Sequence, residues 1–215
     1  MRHILKAFAA IVVLAALATG ATLLLSRRTT VPAVNVDTPH IRGSAAAPVL
    51  LVEYGDYECP PCASFDTVVR QYIEKHPDTL KFEFRHFPLT RPHPNALSAA
   101  VAAEAAHAQG KFWVMHDALM DSQAKWARTS NAELFFAELA QHAGLDSKLF
   151  SEGLRSRETE ARILAQAAEA QKSGITGTPT LLLNGRKLEA APRSVENIET
   201  LVLQELKRLM REGKN

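Results

Sequence analysis

The stretch from Val49 to Cys62, Val-Leu-Leu-Val-Glu-Tyr-Gly-Asp-Tyr-Glu-Cys-Pro-Pro-Cys, constrains the fold more than any other part of the chain. An apolar run rich in aliphatic and β-branched residues ends in a short polar turn. Two cysteines follow at CxxC spacing, and a helical pattern begins. A strand that delivers a cysteine to the first turn of a helix makes a reactive thiol, because unpaired backbone N–H groups and the helix dipole stabilise the thiolate. Cys62, one turn beyond Cys59, is placed to attack a mixed disulfide formed there. Cys59 and Cys62 are the only 2 cysteines. A zinc site would need two further ligands, and none of the 8 histidines has HxxxH-type spacing beside the pair, although His86, His93, His107 and His116 lie in the middle of the chain. A purely structural disulfide is disfavoured, since so short a loop restricts the unfolded chain very little. The pair reads as redox chemistry without a metal or a cofactor.

With 215 residues and ordinary composition, the chain has room for one domain carrying an insertion, and for a sizeable core. Net charge is +2 with acids and bases interspersed, and no basic stripe interleaves with aromatics. That excludes nucleic acid as the expected partner.

Residues 1–28 read as membrane-directed. Arg2, His3 and Lys6 form a basic start, and Ala7 to Leu25 is an uncharged apolar run close to the ~20 residues that span a bilayer. Cleavage after Ala16-Leu17-Ala18 would leave Leu23-Leu24-Leu25 on the new terminus, so an anchor is favoured over a cleaved signal that would release the protein. Either way the remainder is expected in the periplasm or an equivalent extracytoplasmic space, where disulfide chemistry is permitted. Residues 29–47 read as a linker.

Val49–Tyr54 is apolar almost throughout, as in a central strand covered on both faces. Pro60 and Pro61 cost nothing in the first turn of a helix, whose apolar positions Phe65, Val68, Val69, Tyr72 and Ile73 follow, and His76-Pro77 stops it. Leu80 to Phe87 alternates as a strand, completing a βαβ unit with two parallel strands. From Pro94 to Ser173 the pattern is helical, with breaks at Gly110, Asn131, Gly144 and Asp146 and a cap at Gly174. Trp113 and Trp126 in this stretch fit either a core or a docking surface. Leu181-Leu182-Leu183, Asn184-Gly185 and Arg186-Lys187-Leu188 predict a hairpin with a type I′ turn, and an amphipathic helix from Val195 to Met210 closes the chain.

Two further features stand out. Glu53 interrupts the apolar strand: it is either a carboxylate that merely reaches water, or a buried acid of raised pKa that relays a proton as a thiol reacts, and its apolar flanks favour the second. Asp56 and Glu58 would oppose a thiolate if they faced it, and read as turn residues. Thr178-Pro179, in a turn between helix and hairpin, is a position for a cis peptide bond that would present backbone to a substrate strand.

The segment Ile41 to Cys62 resembles the DsbA-type branch of the thioredoxin superfamily. So do His86-Phe87-Pro88-Leu89, His93-Pro94-Asn95-Ala96, Gly110-Lys111-Phe112-Trp113 with His116-Asp117-Ala118-Leu119, and Gly174-Ile175-Thr176-Gly177-Thr178-Pro179-Thr180. The resemblance implies an α/β thioredoxin fold over residues 48–92 and 174–212 with a helical insertion at 93–173, preceded by the N-terminal apolar helix. It implies Cys59 as exposed nucleophile, Cys62 as its buried partner in a redox-active disulfide, Glu53 as buried acid and Thr178-Pro179 as the cis-proline loop. Exported protein thiols as substrates and a quinone-linked membrane partner are implied as well. One departure is Pro60-Pro61, where well-known oxidants of the family carry a histidine whose charge helps the thiolate. Oxidation is the favoured direction; a reductase or isomerase is the alternative, and a non-catalytic peptide-binding module is the alternative of another class.

Overall fold

The computed structural model describes residues 39–213. The anchor expected at residues 1–28 and the first part of the expected linker lie outside them. Among the described residues no helix is long and apolar enough to cross a membrane.

The element order is β1 (His40–Arg42), β2 (Val49–Gly55), α1 (Pro60–Lys75), β3 (Leu80–His86), α2 (Ala96–His107), α3 (Phe112–Asp121), α4 (Gln123–Trp126), α5 (Ala132–His142), α6 (Ser147–Leu154), α7 (Arg157–Lys172), β4 (Thr180–Leu183), β5 (Arg186–Lys187) and α8 (Val195–Glu212). The strands form one sheet in the order β1-β3-β2-β4-β5. β2 runs parallel to β3, as the βαβ unit requires, and antiparallel to β4, and the hairpin pairs β4 antiparallel with β5.

Because side chains alternate across a strand, β2 serves two cores at once. Val49 and Leu51 join a large cluster with Phe65, Val69 and Ile73 of α1 and Ile198 and Val202 of α8. Val52 and Tyr54 pack on the other face with Phe87, Ala170, Ile175 and Leu182. By the same alternation Glu53 shares the face of Val49 and Leu51, towards α1. The α1 residues that bury, Cys62, Phe65, Asp66, Val69, Tyr72 and Ile73, recur at helical spacing.

The predicted hairpin is present: Asn184 and Gly185 have φ of 45° and 79°, the positive values a type I′ turn needs. Asn184 also clasps β2, its Oδ1 accepting from Leu50 N–H at 2.8 Å. Helices α2–α7 all lie between β3 and β4, the stretch read as helical from periodicity. Trp126 is fully buried there, so it is core. Met210, expected on the apolar side of the last helix, is 63% exposed near the helix end.

Two elements differ from expectation. The stretch 29–47, read as linker, contains β1, which pairs antiparallel with β3 at the sheet edge. Three residues carry no periodic signal, and β1 is held by distant groups. The Trp113 indole N–H donates to Ile41 O at 2.9 Å, Arg42 lies 4.3 Å over that ring, and the His40 ring stacks on Phe112 at 3.5 Å. The second is the four-residue α4, which brings Gln123 inward.

Candidate redox site

Cys59 is the N-cap of α1, with extended backbone, and Pro60 and Pro61 form its first turn. Since neither proline has an N–H, Cys62 supplies the first main-chain donor of the helix. A hydrogen bond from the Cys62 thiol does most to lower the Cys59 pKa, which settles at about 6 against the opposing effect of burial, with Thr178 and the Cys62 backbone N–H adding to it. Burial pushes the Cys62 thiol well above the ordinary range, and its neighbours Cys59 and Glu53 push it further. The two thiols are free, adjacent in the helix turn, and opposite in acidity.

The expectation of an exposed nucleophile needs correction: Cys59 is only 5% exposed and Cys62 is wholly buried. The cause is the loop before β4. Its Thr178–Pro179 peptide bond is cis, and Thr178 O accepts from the Cys59 thiol at 3.4 Å. A residue 119 positions along the chain therefore covers the sulfur, which no local pattern around Cys59 reveals. Beside this loop lies a depression of ≈ 520 Å³ lined by Pro61, Ser64, Phe65, Pro179, Ala190, Ala191, Pro192 and Arg193.

Glu53 is fully buried, and among the described residues neither of its oxygens has a hydrogen bond of good geometry. Burial raises its pKa well above the usual carboxylate range, Asp66 adds to this, and the Cys62 thiol beside it draws it back slightly. The reading of Glu53 as a carboxylate reaching water therefore fails, and the group is a buried acid of raised pKa next to the thiol of raised pKa. Gly55 makes room for it: a Cβ there would stand 2.3 Å from the Phe84 ring and 3.0 Å from Glu53 Oε1.

Asp56 and Glu58 are turn residues as expected, and also anchors. Asp56 accepts from Glu58 N–H at 2.7 Å, Leu89 N–H at 2.8 Å and the His93 ring at 2.7 Å. Glu58 accepts from Asn95 N–H and Arg128 N–H, each at 2.6 Å. Both carboxylates thus spend their charge on the segments around them, fastening the CxxC loop to the helical region. Gln123, which sequence reasoning missed, donates to Tyr57 O at 2.6 Å and Cys59 O at 3.0 Å. Deeper still, the Tyr57 hydroxyl meets His116 Nδ1 at 3.0 Å, and His116 Nε2 meets Asp66 at 3.1 Å. Asp66 also pairs with Arg70 Nε at 2.9 Å. These contacts join residues too far apart in sequence to leave a motif.

The model of a family described as thioredoxin matches residues 35–203. A Na(+)/H(+) antiporter NhaA 3 from Salinispora tropica is 39% identical over 173 residues, covering 79% of this chain and 25% of the antiporter. This chain thus spans about a quarter of the length of the curated relatives it matches. Among solved structures, α-DsbA1 of Wolbachia pipientis is similar with a TM-score of 0.74 at 19% identity, covering 86% of this chain and 98% of that one. A thioredoxin-like oxidoreductase from Silicibacter pomeroyi has a TM-score of 0.66 at 25% identity, covering 85% and 99%.

Proposed function

Because this chain belongs to the thioredoxin family, we propose that it is an extracytoplasmic thiol–disulfide oxidoreductase that oxidises exported proteins through Cys59 and Cys62. The observation that carries the reading is the divergence of the two thiols, one lowered to about 6 and the other raised, with a buried acid of raised pKa behind the second.

In the oxidising direction the enzyme starts as the Cys59–Cys62 disulfide. A substrate thiolate attacks Cys59 Sγ; a substrate–Cys59 bond forms, and Cys62 leaves with the electron pair. A thiolate is disfavoured at the Cys62 position, so it takes up a proton, and Glu53 is the adjacent acid that holds one. A second substrate thiolate then attacks its own sulfur and expels Cys59. The substrate leaves with a disulfide, two electrons remain on the reduced pair, and Cys59 departs as the thiolate its surroundings favour. A peptide in extended form lies along Thr178-Pro179, its apolar side chains in the adjoining depression.

A membrane partner restores the disulfide, and the basic, apolar N-terminus would hold the enzyme near it. That relatives are named as sodium–proton antiporters supports a place at a membrane. The lowered Cys59 pKa supports oxidation, since stabilising the reduced form makes the disulfide more oxidising. Pro60-Pro61 favours the competing reductase, because it adds no cation beside the thiolate. Equilibration of the full chain with glutathione separates the two directions. A potential in the range of roughly −120 to −180 mV is expected for an oxidant, and a value near about −270 mV would overturn that direction.

A further inference from the structure

Away from the thiols, three side chains from separate elements converge behind the sheet. Glu104 of α2 receives His40 of β1 at 2.6 Å and His86 of β3 at 2.9 Å, both imidazoles meeting the same oxygen, Oε1, through Nε2. His40 is 8% exposed and His86 4%. A donor nitrogen or oxygen from each of the three lies within 4.8 Å of the other two. A cavity of ≈ 320 Å³ opens onto the cluster, with His107 on its wall, the ring 4.7 Å from that of His40.

We infer that His40, His86 and Glu104 form a binding site for a divalent first-row transition metal, with its remaining coordination position open to this cavity. Two imidazole nitrogens and one carboxylate oxygen make a borderline donor set that suits zinc or copper and leaves calcium or magnesium poorly served. Metal–ligand bonds of about 2.0–2.2 Å need the donor atoms ~3.3 Å apart in a tetrahedral arrangement. The present separations of 2.6 and 2.9 Å would therefore open by ~0.7 and ~0.4 Å.

Two positive side chains share the cavity wall. Arg162 approaches Glu104 Oε2 at 3.5 Å, leaving Oε1 to the imidazoles, and it is 41% exposed. Arg85 is engaged by Glu83 at 2.6 Å. Among the described residues His86 Nδ1 is buried with no hydrogen-bond partner, and the cavity has room for a water to satisfy it once Nε2 is metallated. A bound ion would fasten the edge strand β1 to β3 and α2 together, so it should stabilise the fold as well as occupy the cavity.

The experiment uses the full chain with Cys59→Ser and Cys62→Ser, so that thiolates take no part, and it stands whether or not the redox reading holds. Zn2+ is titrated calorimetrically, and Co2+ is added separately for its visible spectrum. One equivalent of Zn2+ should bind, raising the thermal midpoint, and Co2+ should give the intense visible bands of a four- or five-coordinate ion. Glu104→Gln keeps an acceptor for both histidines; it should weaken Zn2+ more than about 10-fold, beyond the lower bound for losing only a supporting contact. His40→Gln should do the same. Absence of Zn2+ binding, or binding and a thermal shift that persist in folded Glu104→Gln and His40→Gln, would overturn the site.

Discussion

Replacing Cys62 with alanine removes the group that does most to hold Cys59 as a thiolate. With a pKa of about 6, Cys59 is roughly nine-tenths ionised at pH 7. Were the midpoint to return fully to the ~8.5 of an ordinary cysteine, the thiolate fraction at pH 7 would fall to roughly 3%, about thirtyfold. The observed alkylation rate would change much less, because a more basic thiolate is a better nucleophile. With a Brønsted slope of about 0.4–0.5, a shift of ~2.5 units returns roughly tenfold, leaving a net loss of about threefold. The midpoint is therefore the quantity to measure, by ultraviolet thiolate absorbance against pH. In the parent protein the lower of the two titration steps should lie near 6, and in Cys62→Ala it should rise by at least about one unit, the Cys62 backbone N–H still contributing. A parent midpoint at an ordinary thiol value, or a variant midpoint unmoved, would refute the reasoning.

Glu53→Gln should slow exchange while keeping the fold. Because the folded carboxyl holds a proton that the unfolded chain releases near 4.5, stability falls as pH rises above that value, and the variant should flatten this decline in urea unfolding against pH. Parallel pH profiles, or unchanged exchange rates, would return Glu53 to a passive role. Glu58→Ala leaves the backbone N–H groups of Asn95 and Arg128 without their acceptor, which at about 1–3 kcal/mol each should cost about 2–6 kcal/mol in urea unfolding; a loss below ~1 kcal/mol would contradict the anchoring role.

What the sequence shows depends on how local the cause is. β2, α1 and the Asn184-Gly185 hairpin are written in contiguous residues, through hydrophobic pattern and turn chemistry, and the structure has them where the pattern puts them. The cysteine pair, the acid interrupting β2 and Thr178-Pro179 are legible for the same reason. β1 is not, because its three residues are held by Phe112 and Trp113 from far along the chain. The covering of Cys59 depends on the loop at Thr178, and the grip of Gln123 on the CxxC loop depends on the short α4. The cluster of His40, His86 and Glu104 is assembled by sheet pairing and helix packing, so its members have no spacing to recognise.

The central claim is that Cys59 alone bonds to substrate, while Cys62 is the leaving group in the oxidising direction and the attacking thiol in its reverse. Trapping tests this most directly: the full-length Cys62→Ser and Cys59→Ser variants are incubated with an oxidised model protein and analysed on non-reducing gels with mass spectrometry. The account predicts that folded Cys62→Ser accumulates a mixed disulfide through Cys59 and that Cys59→Ser accumulates none. A folded Cys62→Ser that traps nothing, or a Cys59→Ser that traps substrate through Cys62, would contradict it.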